Sequence, residues 1–282
     1  MKVKIISDST ADLSPVLIEK YDIAIVPLYV LMGDKTLKDG IEVTPDDIYE
    51  YVDKTGNLPS TSAPNPGDFL DEFSKWREQN YEIVHFNISS DFSSSHVNAC
   101  NAAKEVGGTY VVDTRNLSTG SGLLVLHAAE MAMAGATAEE IAKECTEMAD
   151  RVEASFVVDS IDYLHKGGRC SSVAALGANL LKLKPCIEVL DGKMKSAKKY
   201  RGIIDRVIIS YVTDKLKDRE DIDKHRIFIT HTKCNPAVVQ QVRAKINELS
   251  PGFENIDETI AGCTVTSHCG PGTLGVLYVR KK

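Results

Sequence analysis

Two hydroxyl-rich segments of this chain could hold a small anion. The first, residues 61–69, opens with Thr61 and Ser62, and the second, residues 89–95, contains five serines. The second segment follows a strand pattern at residues 82–88 and leads toward a predicted helix. Hydroxyl and backbone N–H groups at such a turn bind carboxylates or phosphates. Because Ser and Thr are also common in loops and helix caps, these segments fit two interpretations, an anion-binding site and ordinary structural caps.

The first half of the chain alternates strands and helices, which is typical of a mainly parallel sheet. In such sheets, ligands gather at the carboxyl ends of the strands. We therefore expect the polar groups that follow three strands to line one edge together, namely residues 7–9, 89–90 and 113–114. The predicted strands are residues 3–7, 23–31, 83–88 and 109–113. Two helices are predicted to begin at Pro15 and Pro45, each after a capping Ser or Thr, and two more are predicted at residues 120–134 and 138–151.

The second half predicts a mixed sheet. A strand at residues 186–190, the turn Asp191-Gly192 and a strand from Met194 onward indicate a hairpin. Because no Gly- or Pro-rich linker separates the halves, we expect an α/β protein of two packed lobes, residues 1–153 and residues 154–282. Further helices are predicted at residues 203–217 and 236–249, and further strands at residues 226–230 and 274–280.

Composition places the chain among globular proteins. Of its 282 residues, 43% are hydrophobic and 26% are charged. No run of about 20 apolar residues predicts a membrane helix, and the N-terminus lacks the apolar core of a signal peptide. Seven cysteines without a CxxC pair favour reduced thiols in a cytoplasm over a disulfide framework or a zinc site.

The charge is unevenly distributed. The net charge of −7 argues against nonspecific nucleic-acid binding. Residues 1–110 hold 9 Lys/Arg and 18 Asp/Glu, a balance of −9, whereas residues 165–206 hold 10 Lys/Arg and 3 Asp/Glu, a balance of +7. The basic stretch is either a solvated face or a surface that meets phosphate or an acidic partner.

A series of short motifs runs in order along nearly the whole chain. The motifs are Ile6-Ser7-Asp8-Ser9-Thr10-Ala11-Asp12, Thr61-Ser62-Ala63-Pro64, Ser93-Ser94-Ser95, Val112-Asp113-Thr114-Arg115 with Ser118-Thr119-Gly120, Tyr163-Leu164-His165-Lys166-Gly167-Gly168-Arg169, Lys199-Tyr200-Arg201-Gly202 and His268-Cys269-Gly270-Pro271-Gly272-Thr273. Together they resemble the DegV family of bacterial fatty-acid-binding proteins. Members of that family often have Thr-Ser-Gln-Pro and Ser-Gly-Thr in place of the second and third motifs.

The resemblance implies a two-lobed carrier rather than an enzyme. It would hold one long-chain fatty acid, such as palmitate or stearate, with the head group in the cleft between the lobes. A separate fatty acid kinase would phosphorylate the bound carboxylate, and transient contact with a membrane would fit this role. No metal or other cofactor is implied, and the expected location is the bacterial cytoplasm.

The resemblance also assigns residues to the head group. It places Thr61 and Ser93 at the carboxylate, with Ser62 and Ser94 as close supports. Arg169, Arg201 and His268 match cationic positions that would support phosphoryl transfer. Neutral hydroxyl donors suit such a site, because they satisfy a buried carboxylate without holding it in a tight ion pair. Serine 93 could also serve as the cap of the following helix.

The residues alone also leave two other functions open. Ser93 and His268 could be the nucleophile and base of a lipid-ester hydrolase, although the chain lacks a Gly-x-Ser-x-Gly elbow and a recognisable third residue. A nucleotide-binding module is less favoured, since neither a Gly-x-Gly-x-x-Gly motif after the first strand nor a P-loop is present. The acidic segment at residues 7–12 is predicted to be a structural turn. His85 and His127 are predicted to pack in the core.

Overall fold

A computed structural model describes residues 2–170 and 183–282. The elements of the first half are β1 (Lys2–Asp8), a 3-10 turn (Ser9–Ala11), α1 (Pro15–Lys20), β2 (Ala24–Val26), β3 (Tyr29–Met32), β4 (Lys35–Lys38), α2 (Pro45–Thr55), β5 (Ser60–Ser62), α3 (Pro66–Arg77), β6 (Tyr81–Asn87), α4 (Ser95–Val106), β7 (Thr109–Asp113), α5 (Thr119–Met133) and α6 (Ala138–Ala149). The second half contains β8 (Val152–Val157), α7 (Asp162–Gly167), β9 (Leu183–Leu190), β10 (Lys193–Arg201), α8 (Ile204–Leu216), β11 (Ile222–His231), α9 (Pro236–Leu249), β12 (Asn255–Ile260), α10 (Cys263–Cys269) and β13 (Leu274–Arg280).

The first half is built on a four-stranded parallel sheet with the strand order β2-β1-β6-β7. The predicted polar edge forms at the carboxyl ends of these strands. Asp8 Oδ2 accepts the Ile88 N–H at 2.9 Å, and the carboxylate of Asp113 accepts the Ser90 N–H. These contacts tie the ends of β1, β6 and β7 to each other.

The second half is built on a six-stranded mixed sheet with the order β10-β9-β8-β13-β11-β12. The predicted hairpin is confirmed, since β9 and β10 pair antiparallel around Asp191-Gly192. The predicted boundary between residues 153 and 154 falls inside β8 and stays a prediction. The α/β fold with one parallel and one mixed sheet is confirmed.

A third, antiparallel sheet with the order β4-β3-β5 was not predicted. The single strand predicted at residues 23–31 was wrong, because the chain forms β2 in the parallel sheet and β3 in this small one. Pro27 lies between them, and proline cannot donate a ladder hydrogen bond. As a result, Thr61 lies on β5, where it pairs with Val30 of β3, rather than in a loop.

Helix α5 joins the two larger sheets. Ten of its residues are buried, and it contacts β1 of the parallel sheet and β8 and β13 of the mixed sheet. A helix that is apolar on most faces is expected in such an interior position. The main hydrophobic core accordingly includes Val84 from the parallel sheet, Leu124 from α5 and Phe228 from the mixed sheet. Within the part of the chain that the structure describes, no helix is long and apolar enough to cross a membrane.

Candidate functional site

A cavity of about 60 Å³ lies between residues of the two halves. Five of the seven predicted site residues line it: Thr61, Ser62, Ser93, Arg169 and His268. The rest of its wall is mostly apolar and comes from Leu28, Ala63, Ile88, Phe92, Leu117, Met194, Thr264, Val265 and Cys269. The cavity therefore combines a polar end with an apolar wall, as a site for an amphiphile requires.

The polar end is built around Thr61 and His268. The side-chain Oγ1 of Thr61 lies 2.8 Å from Nε2 of His268. Thr61 is held by the small sheet, and His268 lies on α10, which leads into β13. A donor or acceptor atom on each residue is thereby engaged inside the cavity. If the Nε2 hydrogen is donated to Thr61, the threonine hydroxyl keeps its own proton for a ligand.

His268 is a neutral group at neutral pH. Burial, followed by the nearby charge of Arg169, lowers the pKa of His268 to about 4. Its Nδ1 is buried, and no residue within 2–170 or 183–282 forms a hydrogen bond with it. We expected a cation at this position from the sequence, but desolvation of the ring favours the uncharged form. His268 thus acts as a hydrogen-bonding group, while Arg169 brings positive charge to the cavity.

Gly167 and Gly270 shape the surroundings of the imidazole. A Cβ atom at Gly167 would overlap Nδ1 of His268, so the ring can lie there only against a glycine. Gly270 has a φ of +71°, which a glycine adopts at little cost. A Cβ atom there would also collide with the ring of Tyr163. The two glycine-containing motifs found in the sequence therefore meet around His268.

The serine segment has both a local and a cavity role. Ser93 Oγ accepts the Ser95 N–H at 3.2 Å and lies 2.9 Å from Ser95 Oγ, and Ser93 also lines the cavity. The predicted cap role of Ser93 was wrong by one position, since Ser93 precedes the cap residue of α4 and bonds the Ser95 N–H from there. Ser94 occupies the cap position of α4 without a side-chain cap bond, and it is exposed. Ser62 is also exposed, with its Oγ donating to the Ala63 carbonyl.

The two predicted arginines lie in different places. Arg169 is exposed at the cavity, where Nη1 donates to the Gly167 carbonyl at 2.7 Å. Arg201 ends β10 opposite Leu183 and is exposed. Among the described residues it is not part of the cavity wall. Its role in the site, like those of the other six predicted residues, stays a prediction.

The acidic motif near the N-terminus is structural, as its hydrogen bonds show. Asp8 caps the 3-10 turn by accepting the Thr10 N–H at 3.1 Å. Asp12 accepts the Gly262 N–H at 2.8 Å, far along the chain. A third carboxylate, Asp39, accepts the N–H groups of Cys263 and Thr264. No local sequence pattern singles out Asp39, since its partners are distant in the chain.

A second cavity of about 20 Å³ adjoins the first. Leu117, Val265 and Cys269 line both cavities and so form the wall between them. Thr232 and Thr273 also line the second cavity, but their hydroxyls donate to the carbonyls of Gly270 and Cys269. Hydroxyls engaged in this way leave mainly apolar surface, so the second cavity suits hydrocarbon. These wall residues were missed because apolar residues carry no local signal of a ligand.

The described residues contain no cluster of three or more His, Cys, Asp or Glu side chains that could hold a metal ion. His85 packs in the core, as predicted, whereas the packing role of His127, which is half-buried on α5, stays a prediction. The ring of His85 is buried between Phe69 and Phe73, and burial lowers its pKa to about 3. Burial also lowers the pKa of His127.

An α/β protein with a parallel and a mixed sheet, and with a hydroxyl-lined apolar cavity between them, has relatives of known structure. A DegV lipid-binding protein from Thermotoga maritima is 34% identical, with 100% of each chain covered and a TM-score of 0.86. A stearic acid-binding protein from Eubacterium ventriosum is 26% identical, with 99% of this chain and 98% of that chain covered and a TM-score of 0.84.

The sequence comparisons agree with the structural ones. A Thermotoga maritima protein named fatty acid-binding protein is 36% identical over 285 residues, which cover 98% of this chain and 96% of the relative. The model of the DegV family, described as an uncharacterised protein family, matches residues 2–281. The chain belongs to the DegV family.

Proposed function

We propose that this protein binds one long-chain fatty acid in the cavity and presents its carboxylate to a separate fatty acid kinase. The observation that carries the proposal is the Thr61–His268 pair, 2.8 Å apart, at the polar end of an otherwise apolar cavity. Relatives that are named for fatty acid binding or for lipid binding support the choice of ligand. The kinase step is supported by the sequence resemblance and by the exposed Arg169 beside the cavity.

The head group would be held by neutral donors. Thr61 and Ser93 each bring a hydroxyl to the cavity, and neutral His268 accepts or donates beside Thr61. A buried carboxylate without hydrogen bonds is costly, and bonds to a charged group are worth about 1.5–3 kcal/mol each. A carboxylate next to His268 would also raise the pKa of the imidazole from its ligand-free value. The site thus has the capacity to add positive charge when the anion enters.

The tail would occupy the apolar part of the cavity and extend toward the second one. Each buried methylene contributes about 0.8 kcal/mol, so ten of them contribute roughly 8 kcal/mol before the costs of association. Cavities of about 60 and 20 Å³ hold only a few water molecules. A long acyl chain therefore requires Leu117, Val265 or Cys269 to move apart, since these residues separate the two spaces.

The hydrolase alternative lacks support in the geometry. His268 Nε2 contacts Thr61 rather than Ser93, whose own partner is Ser95. No residue in the described ranges orients His268 through Nδ1. A Ser/His hydrolase needs the serine, the base and an orienting group in one chain of hydrogen bonds.

Mass spectrometry of lipid extracted from the purified protein tests the proposal. We expect about one fatty acid of roughly 14–18 carbons per chain, and we expect delipidated protein to take up palmitate. Incubation with a fatty acid kinase, ATP and hydroxylamine should then trap the acyl phosphate as a hydroxamate. Absence of lipid together with no uptake of palmitate would refute binding. Lipid without hydroxamate would refute only presentation to the kinase.

A further inference from the structure

Helix α10 carries His268, and its N-terminus is bonded to two carboxyl groups from the first half of the chain. Asp39 Oδ1 accepts the Cys263 N–H at 2.9 Å, and Asp39 Oδ2 accepts the Thr264 N–H at 3.1 Å. Asp12 Oδ1 accepts the Gly262 N–H at 2.8 Å. The first N–H groups of a helix have no partners within the helix. Here three successive ones are satisfied by side chains that lie far away in sequence.

Both aspartates are buried and have fixed orientations. Asp39 also accepts a hydrogen bond from Ser9 Oγ at 3.1 Å, and Asp12 accepts one from Ser118 Oγ at 2.5 Å. Neither aspartate is among the described residues that line the cavity. Their effect on a ligand would therefore have to act through α10.

The small sheet contacts α10 at both of its ends. Asp39 directly follows β4 and bonds the first turn of the helix, whereas Thr61 on β5 bonds His268 in the last turn. Both strands pair with β3. Since the helix rises about 1.5 Å per residue, the two contacts are roughly 7 Å apart along its axis. Two contacts to one small sheet fix the position of a short helix better than either contact alone.

We propose that Asp39, supported by Asp12, is a positioning residue that sets the place of the His268 imidazole relative to Thr61. The inference rests on the proposed function in one respect, namely that the positioned imidazole would bind the carboxylate of a fatty acid. Its structural part, the link from Asp39 to the imidazole, holds with or without a ligand. The two parts can be tested separately.

The first test uses ligand-free protein. Long-range ¹H–¹⁵N spectra of the histidine rings report the hydrogen bonding of His268 Nε2, and the His268→Ala variant assigns its signal. We expect Asp39→Asn to shift that signal, because an amide presents a donor to one of the two helix N–H groups. Glu140→Gln is the control for a carboxylate-to-amide change at another helix start, since Glu140 accepts the Thr137 N–H at 2.9 Å in the capping box of α6. An unchanged His268 signal in folded Asp39→Asn protein would overturn the inference.

The second test measures palmitate affinity. We expect Asp39→Asn to bind palmitate about five- to tenfold more weakly and to have no further effect in a His268→Ala background. An equal loss in both backgrounds would mean a general structural role and would overturn the inference. If Asp39→Asn does not fold, Ser9→Ala, which removes the hydroxyl that donates to Asp39 and accepts the Leu28 N–H, should shift the His268 signal in its place. Wild-type protein that bound no palmitate would refute the proposed function, while the ring spectra would still decide the positioning role.

Discussion

Thr61 Oγ1 and His268 Nε2 lie 2.8 Å apart although the two residues are 207 positions apart in the chain. The contact brings a strand of the small sheet against the helix that precedes β13. It also places a hydroxyl and a neutral imidazole at the polar end of the cavity. Every prediction about the head group depends on this pair and on the residues that hold it.

Removing the hydroxyls should weaken head-group binding. We expect Thr61→Val and Ser93→Ala each to lower the binding free energy of palmitate by about 1–3 kcal/mol, since a buried carboxylate loses a donor. The effects should not add fully, because both residues act on one carboxylate. Ser60→Ala is the matched control: Ser60 lies beside Thr61 on β5, is exposed and is not among the described residues that line the cavity. A fatty-acid displacement titration in which both variants keep wild-type affinity would remove these residues from the site.

Asp12 should make stability fall as pH rises. Burial raises the pKa of Asp12 from 3.8 to about 8, so the folded protein keeps a proton that the unfolded chain releases near pH 4. This contribution to stability is fully present below about pH 4 and is lost as pH rises toward 8, by up to about 1.4 kcal/mol per pH unit.

We therefore expect Asp12→Asn to gain stability relative to wild type as pH increases from 5 to 8. Urea unfolding at both pH values gives the difference. Asp8, whose pKa burial raises to about 6, contributes to both proteins and cancels in the comparison. A constant difference between the two proteins across this range would show that Asp12 is ionised in the folded state.

Gly167 should be needed for the position of His268. Alanine at this position has a Cβ that overlaps the imidazole, and an added methyl group in a packed site costs about 1–3 kcal/mol. We expect Gly167→Ala to lower the melting temperature and to weaken palmitate binding several-fold. In a His268→Ala background the same substitution should leave affinity unchanged. A loss of affinity that persisted without the imidazole would point to another cause.

Local signals in the sequence predicted individual elements well. Helix α9 begins and ends at the predicted residues, because Asn235 and Pro236 mark its start. The hairpin of β9 and β10 was clear from Asp191-Gly192. The split at Pro27 was missed, because the apolar run on both sides of the proline resembles one buried strand. The small sheet was missed with it, since its strands are three or four residues long.

The site could be predicted from the sequence only where a family motif marks it. Thr61, Ser93, Arg169 and His268 all line the cavity. The contact of Asp39 with Cys263 could not be foreseen, since it joins residues 224 positions apart. The neutrality of His268 was also out of reach, because it depends on how deeply the fold buries the ring. The residue type shows only that a side chain can carry a charge, whereas its surroundings in the fold determine whether it is charged at neutral pH.

The basic stretch should meet the kinase through one face of β10. Residues 171–182 of that stretch lie outside the described residues. Lys199 pairs with Pro185 of β9. It therefore lies on the same face of the mixed sheet as Ile187 and Val189, which belong to the core that joins both sheets. Lys195 is opposite Glu188, on the other face. Both lysines are exposed, so they form a matched pair on one strand.

We expect Lys199→Glu to slow kinase-coupled turnover and Lys195→Glu to have little effect, with lipid content unchanged in both. The difference should shrink as salt rises, because charge steering is screened over about 10 Å at 0.1 M. Lys198 is a poorer probe than Lys199, since it pairs with Asp214 at 2.6 Å. Turnover that did not respond to salt or to either reversal would exclude this face as the docking surface.

Arg201 should matter for the phosphoryl group more than for fatty acid capture. It is exposed at the end of β10, and within the described structure it is not part of the cavity wall. Arg201 would therefore gain a partner only when the phosphoryl group brings negative charge outside the cavity. A contact made only at that stage speeds phosphoryl transfer without tightening the binding of the fatty acid.

We expect Arg201→Ala to purify with a full complement of lipid but to form little acyl phosphate, measured as hydroxamate after trapping with hydroxylamine. His268→Ala should instead lose lipid affinity as well, because the imidazole contacts Thr61 inside the cavity. Arg206→Ala serves as the control, since Arg206 is an exposed arginine on neighbouring α8. If Arg201→Ala lost lipid in proportion to activity, Arg201 would be an ordinary head-group ligand, and its side chain would have to turn toward the cavity when a fatty acid is bound.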